Sequence, residues 1–372
     1  MGLFTSSKKT RYAVVGIGWF AQAAVLPGFK NAKNSELVAV VSGDAEKHEE
    51  MTKLYGVPAY TYGQYDELLA SGKVDAVYIV LPNAMHKDYT LRAARHKVHV
   101  LCEKPLASDA REAQEMVSAC EAAGVLLMTA YRLHLEHANL AAIDVAKSGE
   151  LGEPRLFQST NSQMVEDNST RLTGELAGGP LMDLGVYCIN AARYMFQADP
   201  TEVVAFTANG HDPKFGEVPE MVSAVMKFPR QRLAMFSCGF NHGKVSEFRL
   251  LGTEGSVHLD PAFSFTGDKT LTVELNSESK PRETNYKDTD HVGAEIAYFS
   301  ECVQAGKTPE PDGNEGLADM LIIDAIKESS RTGRAVKVGP FKTKPRPDSS
   351  MEKTLPQVKQ PELVNAKPPS GD

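Results

Sequence analysis

Three polar residues in this chain, Lys104, Asp183 and Tyr187, have the types and spacing that a proton-transfer site requires. Lys104 follows an apolar run, VHVLC, which is typical of a buried strand and leads directly into Glu103, Lys104 and Pro105. Because proline fixes its own φ and accepts a cis peptide bond before it, Pro105 can hold this turn and aim the lysine into a cleft. The alternative interpretation is a solvated lysine paired with Glu103.

Asp183 and Tyr187 lie four residues apart in the segment ELAGGPLMDLGVYCINAARYMF. Pro180 suits the first turn of a helix, so the two side chains are predicted to share one helix face, one turn apart. A carboxylate and a phenol in a cleft can orient a substrate and exchange a proton with it. In the alternative interpretation Asp183 stabilises the first helical turn and Tyr187 belongs to the half-buried core.

A glycine motif near the amino terminus indicates a nucleotide site. The segment VVGIGWFAQ follows an apolar run and contains Gly16, Gly18 and Ala21 in the pattern G-x-G-x-x-A. The first glycine permits a tight turn, the second lets a pyrophosphate approach the backbone, and the start of the following helix supplies N–H groups and a positive dipole. Trp19 and Phe20 lie in the same turn, and we expect them to line the site.

The second apolar run ends in SGDAEK, where the choice between NAD and NADP is usually made. A carboxylate at this position would accept the 2′-hydroxyl of NAD, whereas Ser42, Gly43 and Lys47 suit the 2′-phosphate of NADP. NADP is therefore the predicted cofactor, and NAD is the less favoured alternative. Asp44 either accepts the ribose hydroxyl itself or caps the helix that follows.

The hydrophobic pattern from residue 11 to 130 predicts the scaffold for these residues. Apolar runs rich in β-branched residues alternate with helical patterns, which predicts a parallel sheet covered on both faces, a Rossmann domain. One helix is predicted to end at Gly56, and another to run from Ser108 to Gly124. The runs are YAVVG (12–16), ELVAVVS (36–42), DAVYIV (75–80), VHVLC (98–102) and VLLMTA (125–130).

In such a sheet, ligands bind outside the carboxyl ends of the strands. Residues that follow strand ends are therefore expected to contact the cofactor. They are Leu81, Pro82, Asn83 and His86 after DAVYIV, Glu103 and Lys104 after VHVLC, and Arg132 after VLLMTA.

The remaining sequence predicts a second α/β domain, residues 131–338, and two terminal segments. After Gly149 alternating strands follow one another, which is typical of a large open, mainly antiparallel sheet, and two helices are predicted at roughly 291–305 and 314–332. Residues 1–10 form an extension. The proline-rich segment 339–372 is too polar to fold alone, so it is either disordered or an arm on a neighbouring subunit.

Composition excludes several functions. The net charge of −8 argues against nucleic acid and anionic membranes as partners. Five scattered cysteines, no secretion signal and no apolar run of membrane length predict a reduced, cytoplasmic protein, although Gly2 loosely fits an acylation pattern. His134 and His137 have no third ligand at a recognisable spacing, so no metal site is predicted.

Four motifs together resemble the Gfo/Idh/MocA family of nicotinamide-dependent oxidoreductases: GxGxxA, PNAMH after DAVYIV, CEKPLA after VHV, and AYR at 130–132. The resemblance runs from about residue 11 to 338, and SGDAEK and the GGP segment are similar to the glucose-fructose and aldose-aldose oxidoreductase branch. It implies a second domain whose open sheet forms the subunit interface of a homodimer or homotetramer. It also implies a cyclic sugar, an aldose such as glucose or xylose, oxidised at its anomeric carbon.

The resemblance also implies residue roles: Lys104 matches the motif lysine, Asp183 the acid of the second motif, Tyr187 the proton donor, and Arg171 an arginine near the sugar. Thr170 stands where this branch usually has tryptophan, and the glycine run before Pro180 is shorter, which leaves the aldose selectivity open. Either the cofactor leaves after each turnover or it stays bound and reduces a second sugar. A nicotinamide-dependent glycoside hydrolase and a non-catalytic cofactor-binding protein are the alternatives.

Overall fold

Two sheets organise the chain, and the computed structural model describes residues 8–342 and 346–368. One sheet has six strands and the other has nine. A parallel sheet followed by a larger, mainly antiparallel one confirms the predicted fold class. Gly2 and most of the predicted extension lie outside the described residues, and the first strand begins at Thr10.

The six-stranded sheet is entirely parallel and has the strand order β3-β2-β1-β4-β5-β6, as in a doubly wound nucleotide-binding domain. The five predicted strands are present, and the two-residue strand β3, which the sequence analysis missed, extends the edge. The strands are β1 Thr10–Val15, β2 Ser35–Val41, β3 Ala59–Tyr60, β4 Ala76–Ile79, β5 His99–Glu103 and β6 Leu127–Ala130.

Helices cover both faces of this sheet. The segment after the glycine motif begins as a π-helical turn, Ala21–Val25, before it becomes α-helical. Asp109 rather than the predicted Ser108 caps the fifth helix, because its side chain accepts the backbone N–H of Glu112 at 2.7 Å. The helices are α1 Leu26–Gly28, α2 Ala45–Tyr55, α3 Tyr65–Ala70, α4 His86–Arg95 and α5 Ala110–Ala123.

The nine-stranded sheet has the order β14-β13-β12-β11-β7-β10-β9-β8-β15. Neighbouring strands are antiparallel except β7 and β10, which are parallel. Strands β12, β14 and β15 were not predicted. The strands are β7 Pro154–Gln163, β8 Glu202–Ala208, β9 Met221–Phe228, β10 Arg232–Phe240, β11 Val245–Gly252, β12 Gly255–Asp260, β13 Lys269–Leu275, β14 Arg282–Tyr286 and β15 Val336–Lys337.

Four further helices follow the parallel sheet in the chain: α6 His137–Ser148, α7 Val186–Phe196, α8 His291–Ala305 and α9 Gly313–Thr332. Helices α6, α7 and α9 pack on one face of the nine-stranded sheet. Helix α8 packs against α1, β1 and β2 of the parallel sheet, whereas α9 contacts α5 and β6 as well as β8. Of the two late helices predicted from the sequence, α9 therefore packs between the two sheets, whereas α8 packs on the parallel sheet.

Residues 346–368 of the carboxyl-terminal segment, which the sequence predicts to be disordered or an arm on a neighbouring subunit, lie along the surface of their own chain. Arg346 donates to Asp199 at 2.7 Å, and the carbonyl of Leu355 accepts the backbone N–H of Asp290 at 2.9 Å. Among residues 8–342 and 346–368, no helix has the length and apolarity that crossing a membrane requires.

Candidate active site

The carboxyl ends of β1, β4, β5 and β6 open onto a cavity of about 650 Å³, and loops of the second domain form its opposite wall. Most of the predicted site residues line this cavity. They are Gly16, Gly18, Trp19, Phe20, Ser42, Lys47, Leu81, Pro82, Asn83, Glu103, Lys104, Arg132, Arg171, Asp183 and Tyr187. Gly43 and His86 are the two predicted residues that are not part of its lining.

The glycine motif has the geometry that a dinucleotide site requires. Gly16 has a φ of +94°, and a Cβ there would lie 2.5 Å from the carbonyl oxygen of Val80, so only glycine allows β1 and β4 to approach. A Cβ at Gly18 would meet no described atom within 4 Å, and the space above it belongs to the cavity. The turn therefore leaves room for a pyrophosphate at the start of the helix.

At the tip of β2, Asp44 caps the helix α2, as one of its two interpretations predicts. Its Oδ1 accepts the backbone N–H groups of Glu46 at 3.0 Å and Lys47 at 3.3 Å, and its Oδ2 accepts the side chain of Asn365 at 3.1 Å. The hydrogen bonds from Lys47 and Asn365 lower the pKa of Asp44. Both oxygens of this carboxylate are therefore engaged within the protein.

Gly43 and His86 lie behind the residues that line the cavity. A Cβ on Gly43 would lie 3.2 Å from the ring of Tyr62, a cavity residue that the sequence analysis missed. The His86 ring is fully buried, with Nε2 2.9 Å from the carbonyl oxygen of Leu81 and Nδ1 3.0 Å from that of Pro105. His86 thus connects the loops after β4 and β5 rather than facing the cavity, where it was predicted.

Lys104 is fixed in place and is not the solvated lysine of the alternative interpretation. The peptide bond before Pro105 is cis. The Lys104 Nζ donates to the carbonyl oxygen of Asp183 at 2.8 Å and lies 3.3 Å from its Oδ1. Burial acts to lower the pKa of Lys104, but Tyr187, Asp183 and Glu103 outweigh it and raise the pKa. The group is therefore an ammonium ion.

Asp183 is held between two cations. The Nε of Arg171 donates to its Oδ2 at 2.7 Å, on the side opposite Lys104. Burial favours the neutral acid, but Arg171 and Lys104 outweigh burial and lower the pKa of Asp183 to about 2. Gly178 makes this arrangement possible, because a Cβ there would lie 2.4 Å from the Arg171 carbonyl oxygen. The close packing of Gly178 on Arg171 therefore places the Arg171 side chain beside Asp183.

Tyr187 lies among two cations and an aromatic ring. It is in the first turn of α7, after a π-helical turn, Leu181–Gly185, that contains Asp183. The Lys104 Nζ is 4.4 Å from the centre of the Tyr187 ring, and the ring of Phe263 stacks on it at 5.8 Å. The guanidinium of Arg132 donates to the Tyr187 hydroxyl at 3.3 Å. Arg132, predicted as a cofactor contact, is thus a second cation beside the phenol.

Arg132 is itself held rigidly. It donates to the carbonyl oxygen of Phe263 and to Nδ1 of His291, each at 2.8 Å. Burial and the charge of Arg132 lower the pKa of His291 well below its ordinary value, so the ring is neutral and can accept this bond. The Nη2 that donates to Phe263 also donates to Tyr187, so the contacts that fix the guanidinium keep it directed at the phenol.

A buried acidic pair behind Lys104 was not predicted. The hydroxyl of Tyr78 lies 2.8 Å from Oε1 of Glu103 and 2.8 Å from Oε1 of Glu295. One hydroxyl has one hydrogen, so one of the carboxyl groups must be protonated to complete both bonds. Burial raises the pKa of both carboxyl groups, but Lys104 acts to lower that of Glu103, whereas the charge of Glu103 raises that of Glu295 further, so Glu295 is the neutral partner. In the sequence, the indication of this pair is one acidic residue, Glu295, within the apolar helix HVGAEIAYF.

Within residues 8–342 and 346–368, no group of three or more His, Cys, Asp or Glu side chains is arranged so that it could hold a metal ion. His134 contacts Glu310 at 3.0 Å and Asn190 at 2.6 Å. All five cysteines are buried free thiols.

A Rossmann domain whose crevice opens onto a fixed lysine, an ionised aspartate and a tyrosine defines a nicotinamide-dependent oxidoreductase. Residues 10–131 match the Gfo/Idh/MocA oxidoreductase family, NAD-binding Rossmann fold, and residues 140–258 match the C-terminal domain of the same family. The chain therefore belongs to the Gfo/Idh/MocA family of oxidoreductases, which confirms the predicted resemblance.

Similar proteins include two sugar dehydrogenases. The D-xylose 1-dehydrogenase [NADP(+)] of Haloarcula marismortui is 33% identical over 337 residues, 88% of this chain and 93% of that protein. The D-xylose 1-dehydrogenase (NADP(+)) 2 of Haloferax volcanii is 33% identical over 88% of this chain and 99% of its own. Among solved structures, the aldose-aldose oxidoreductase of Caulobacter crescentus in complex with glycerol superposes with a TM-score of 0.84 at 34% identity, covering 89% of this chain and 100% of that chain.

Proposed function

We propose that the protein oxidises the anomeric carbon of a cyclic aldose, such as glucose or xylose, with NADP as the hydride acceptor. The observation that carries this proposal is the position of the Tyr187 hydroxyl, which lines the cavity and accepts a hydrogen bond from Arg132 while Lys104 lies over its ring. The similarity to NADP-dependent xylose dehydrogenases supports the choice of an aldose.

The residues present fit NADP better than NAD. The Gly16–Gly18 turn would hold the pyrophosphate, and Ser42 and Lys47, both in the cavity lining, would hold the 2′-phosphate. Asp44 caps α2 through Oδ1 and accepts Asn365 through Oδ2, so its carboxylate is turned toward the protein, which supports NADP rather than NAD. When bound, NADP supplies the acceptor for the hydride of the sugar.

The proton follows a separate route. As the aldose becomes a lactone, C1 loses a hydride and the anomeric hydroxyl loses a proton, which together remove two electrons and two hydrogens. Tyr187 is placed to accept this proton as its phenolate, with its hydroxyl bonded by Arg132 and the Lys104 ammonium group over its ring. Asp183 and Arg171 orient the sugar hydroxyls, because both line the cavity and hold each other in place through an ion pair at 2.7 Å.

A panel of aldoses tests the proposal. The purified protein is mixed with NADP and each sugar in turn, and the absorbance band of the reduced nicotinamide is followed. At least one aldose should produce the band, and NAD in place of NADP should give a slower reaction. Protein that is saturated with NADP and responds to no aldose would contradict the proposal.

The aldose-aldose oxidoreductase relative, together with the carboxyl-terminal residues Gln360 and Pro368 in the cavity lining, favours a cofactor that stays bound and reduces a second sugar. In that reaction one aldose becomes a lactone and another becomes an alditol. Freshly purified protein given an aldose without added NADP should form both products in equal amounts. Lactone formed only with added NADP indicates a simple dehydrogenase.

We also propose that the outer face of the nine-stranded sheet forms a homodimer or homotetramer interface. This face has apolar side chains in contact with solvent, among them Phe206, which is 70% exposed, together with Val204 and Val225. They surround a groove of about 620 Å³. Native mass spectrometry should find an oligomer that Phe206→Glu dissociates and that Leu54→Glu, on α2, leaves intact. A monomeric native protein would contradict this interface.

A further inference from the structure

The segment 346–368, here called the C-terminal strap, is attached firmly where it begins. Its first described residue, Arg346, has a nearly buried side chain that donates to Glu315 at 3.0 Å and to Asp199 at 2.7 Å. Both carboxylates also pair with the fully buried Arg193. The strap therefore starts from a charge network in the second domain.

The middle of the strap crosses to the nucleotide-binding domain. The Gln357 side chain donates to the carbonyl oxygen of Thr289 at 2.7 Å, just before α8. The side chain of Asn31, which follows α1, donates to the carbonyl oxygen of Pro356 at 2.7 Å. The strap thus connects the two domains along one edge of the cleft.

The end of the strap binds the helix that follows the glycine motif. The backbone N–H of Val364 donates to Oε1 of Gln22, and the Nε2 of Gln22 donates back to the Val364 carbonyl oxygen, both at 2.8 Å. Gln22 is only 1% exposed. A glutamine that satisfies both backbone groups of one residue holds that residue as a neighbouring strand would. The strap is therefore fixed beside the turn that faces the pyrophosphate.

The next strap residue reaches the 2′-phosphate end of the site. The Asn365 amide donates to Oδ2 of Asp44 at 3.1 Å and to Oε2 of Glu46 at 2.8 Å. Gln360 and Pro368 line the same cavity as Gly18 and Ser42. The strap is consequently a wall of the nucleotide site, and its amide holds two carboxylates next to the position proposed for a phosphate dianion.

We infer that the C-terminal strap closes the nucleotide site, so that the cofactor leaves only when the Val364 and Asn365 contacts break. This inference rests on the proposed binding of NADP. Asn365 has a second effect, because it keeps the carboxylates of Asp44 and Glu46 directed at itself rather than at the 2′-phosphate, where like charges repel. The strap therefore slows release of the nucleotide and favours NADP over NAD.

The release rate of NADPH tests the inference directly. Trp19, the single tryptophan of the chain, lines the cavity, so NADPH should quench its fluorescence and release should restore it. In a stopped-flow experiment the NADPH complex is mixed with excess NADP. Val364→Pro, which removes the N–H donor to Gln22, and a chain ending at Gln357 should each release NADPH at least ~10-fold faster, since buried hydrogen bonds are lost. Glu362→Ala, an exposed strap position, is the matched control.

The two variants and their control separate the possible outcomes. Unchanged release from both Val364→Pro and the shortened chain would overturn the inference. If the shortened chain does not fold, judged by circular dichroism, Val364→Pro decides alone. Asn365→Ala should raise the Kd for NADP several-fold and leave the Kd for NAD nearly unchanged. Equal increases in both Kd values would show that Asn365 does not favour NADP over NAD. Failure of the full chain to bind NADPH at all would instead contradict the proposed function.

Discussion

The ammonium group of Lys104 lies 4.4 Å from the centre of the Tyr187 ring and is hydrogen-bonded to the backbone of Asp183, one helical turn before that tyrosine. The lysine comes from the end of β5 in the first domain, and the tyrosine from α7 in the second. Each domain therefore supplies half of the pair. Any change in the relative position of the domains alters this distance, and the proposed proton transfer would change with it.

Tyr187→Phe should retain nucleotide binding and reduce turnover by ~10²- to 10⁴-fold, the usual scale for loss of a general acid or base. The ring still stacks on Phe263, so the fold should be unaffected. Steady-state kinetics and a titration with NADPH measure the two properties separately. Near-normal turnover at every pH would show that the proton leaves by another route.

Lys104→Ala should lower turnover by about 10²-fold, because it removes the positive charge that lies over the Tyr187 ring and contacts Asp183. Steady-state kinetics at saturating NADP measures the loss. Near-normal turnover would show that Lys104 takes no part in the reaction.

Lys47→Ala should weaken NADP binding by about tenfold to a hundredfold and leave NAD binding nearly unchanged, since a charge-assisted contact to the 2′-phosphate is removed. Lys53→Ala is the matched control, because Lys53 lies on the same helix and does not line the cavity. Fluorescence titration of both variants gives the Kd values. An equal loss for NADP and NAD would contradict the assigned role.

Glu295→Gln should make stability less dependent on pH. In the unfolded chain Glu295 loses its proton above about pH 4.3. Burial raises the pKa of Glu295 in the folded protein, which therefore keeps the proton to a higher pH. The free energy of unfolding consequently falls as the pH rises from the unfolded-state pKa to the folded-state pKa. The free energy of unfolding of the variant should exceed that of the native protein by an amount that grows by up to about 1.4 kcal/mol per pH unit in this range.

Urea unfolding of Glu295→Gln from pH 5 to 8 provides the measurement, with the exposed Glu328→Gln as its control. The control should follow the native protein throughout. A constant difference between Glu295→Gln and the native protein would mean that Glu295 is ionised in the fold.

The sequence predicts the parallel sheet well, because it depends on local signals, and it places Asp183 and Tyr187 on one helix face for the same reason. Lys104 lies in the other domain, and the family resemblance is what joined it to that pair. Strands β1, β2, β4, β5 and β6 are continuous apolar runs, and Asp183 and Tyr187 keep their helical spacing. Strand β14, Arg282–Tyr286, is almost entirely exposed and has no apolar alternation to reveal it.

Other features depend on contacts between distant residues. His86 follows β4 as predicted, at the first residue of α4, but nothing local determines that its ring turns toward the carbonyl groups of Leu81 and Pro105. Nothing local predicts the position of Glu295 either, because it is linked to Glu103 through the hydroxyl of Tyr78, which is hydrogen-bonded to both. The strap has the composition of a disordered tail, and its order comes from partners such as Gln22, more than 340 residues earlier.

Oxidation at the anomeric carbon is tested most directly with D-glucose or D-xylose that carries deuterium at C1. The protein is mixed with NADP and the labelled sugar, and the reduced cofactor is analysed by mass spectrometry. One deuterium atom should appear on each reduced nicotinamide, and Tyr187→Phe should slow its appearance. Reduced cofactor without deuterium, or no reduction by an aldose that the protein binds, would contradict hydride transfer from the anomeric carbon.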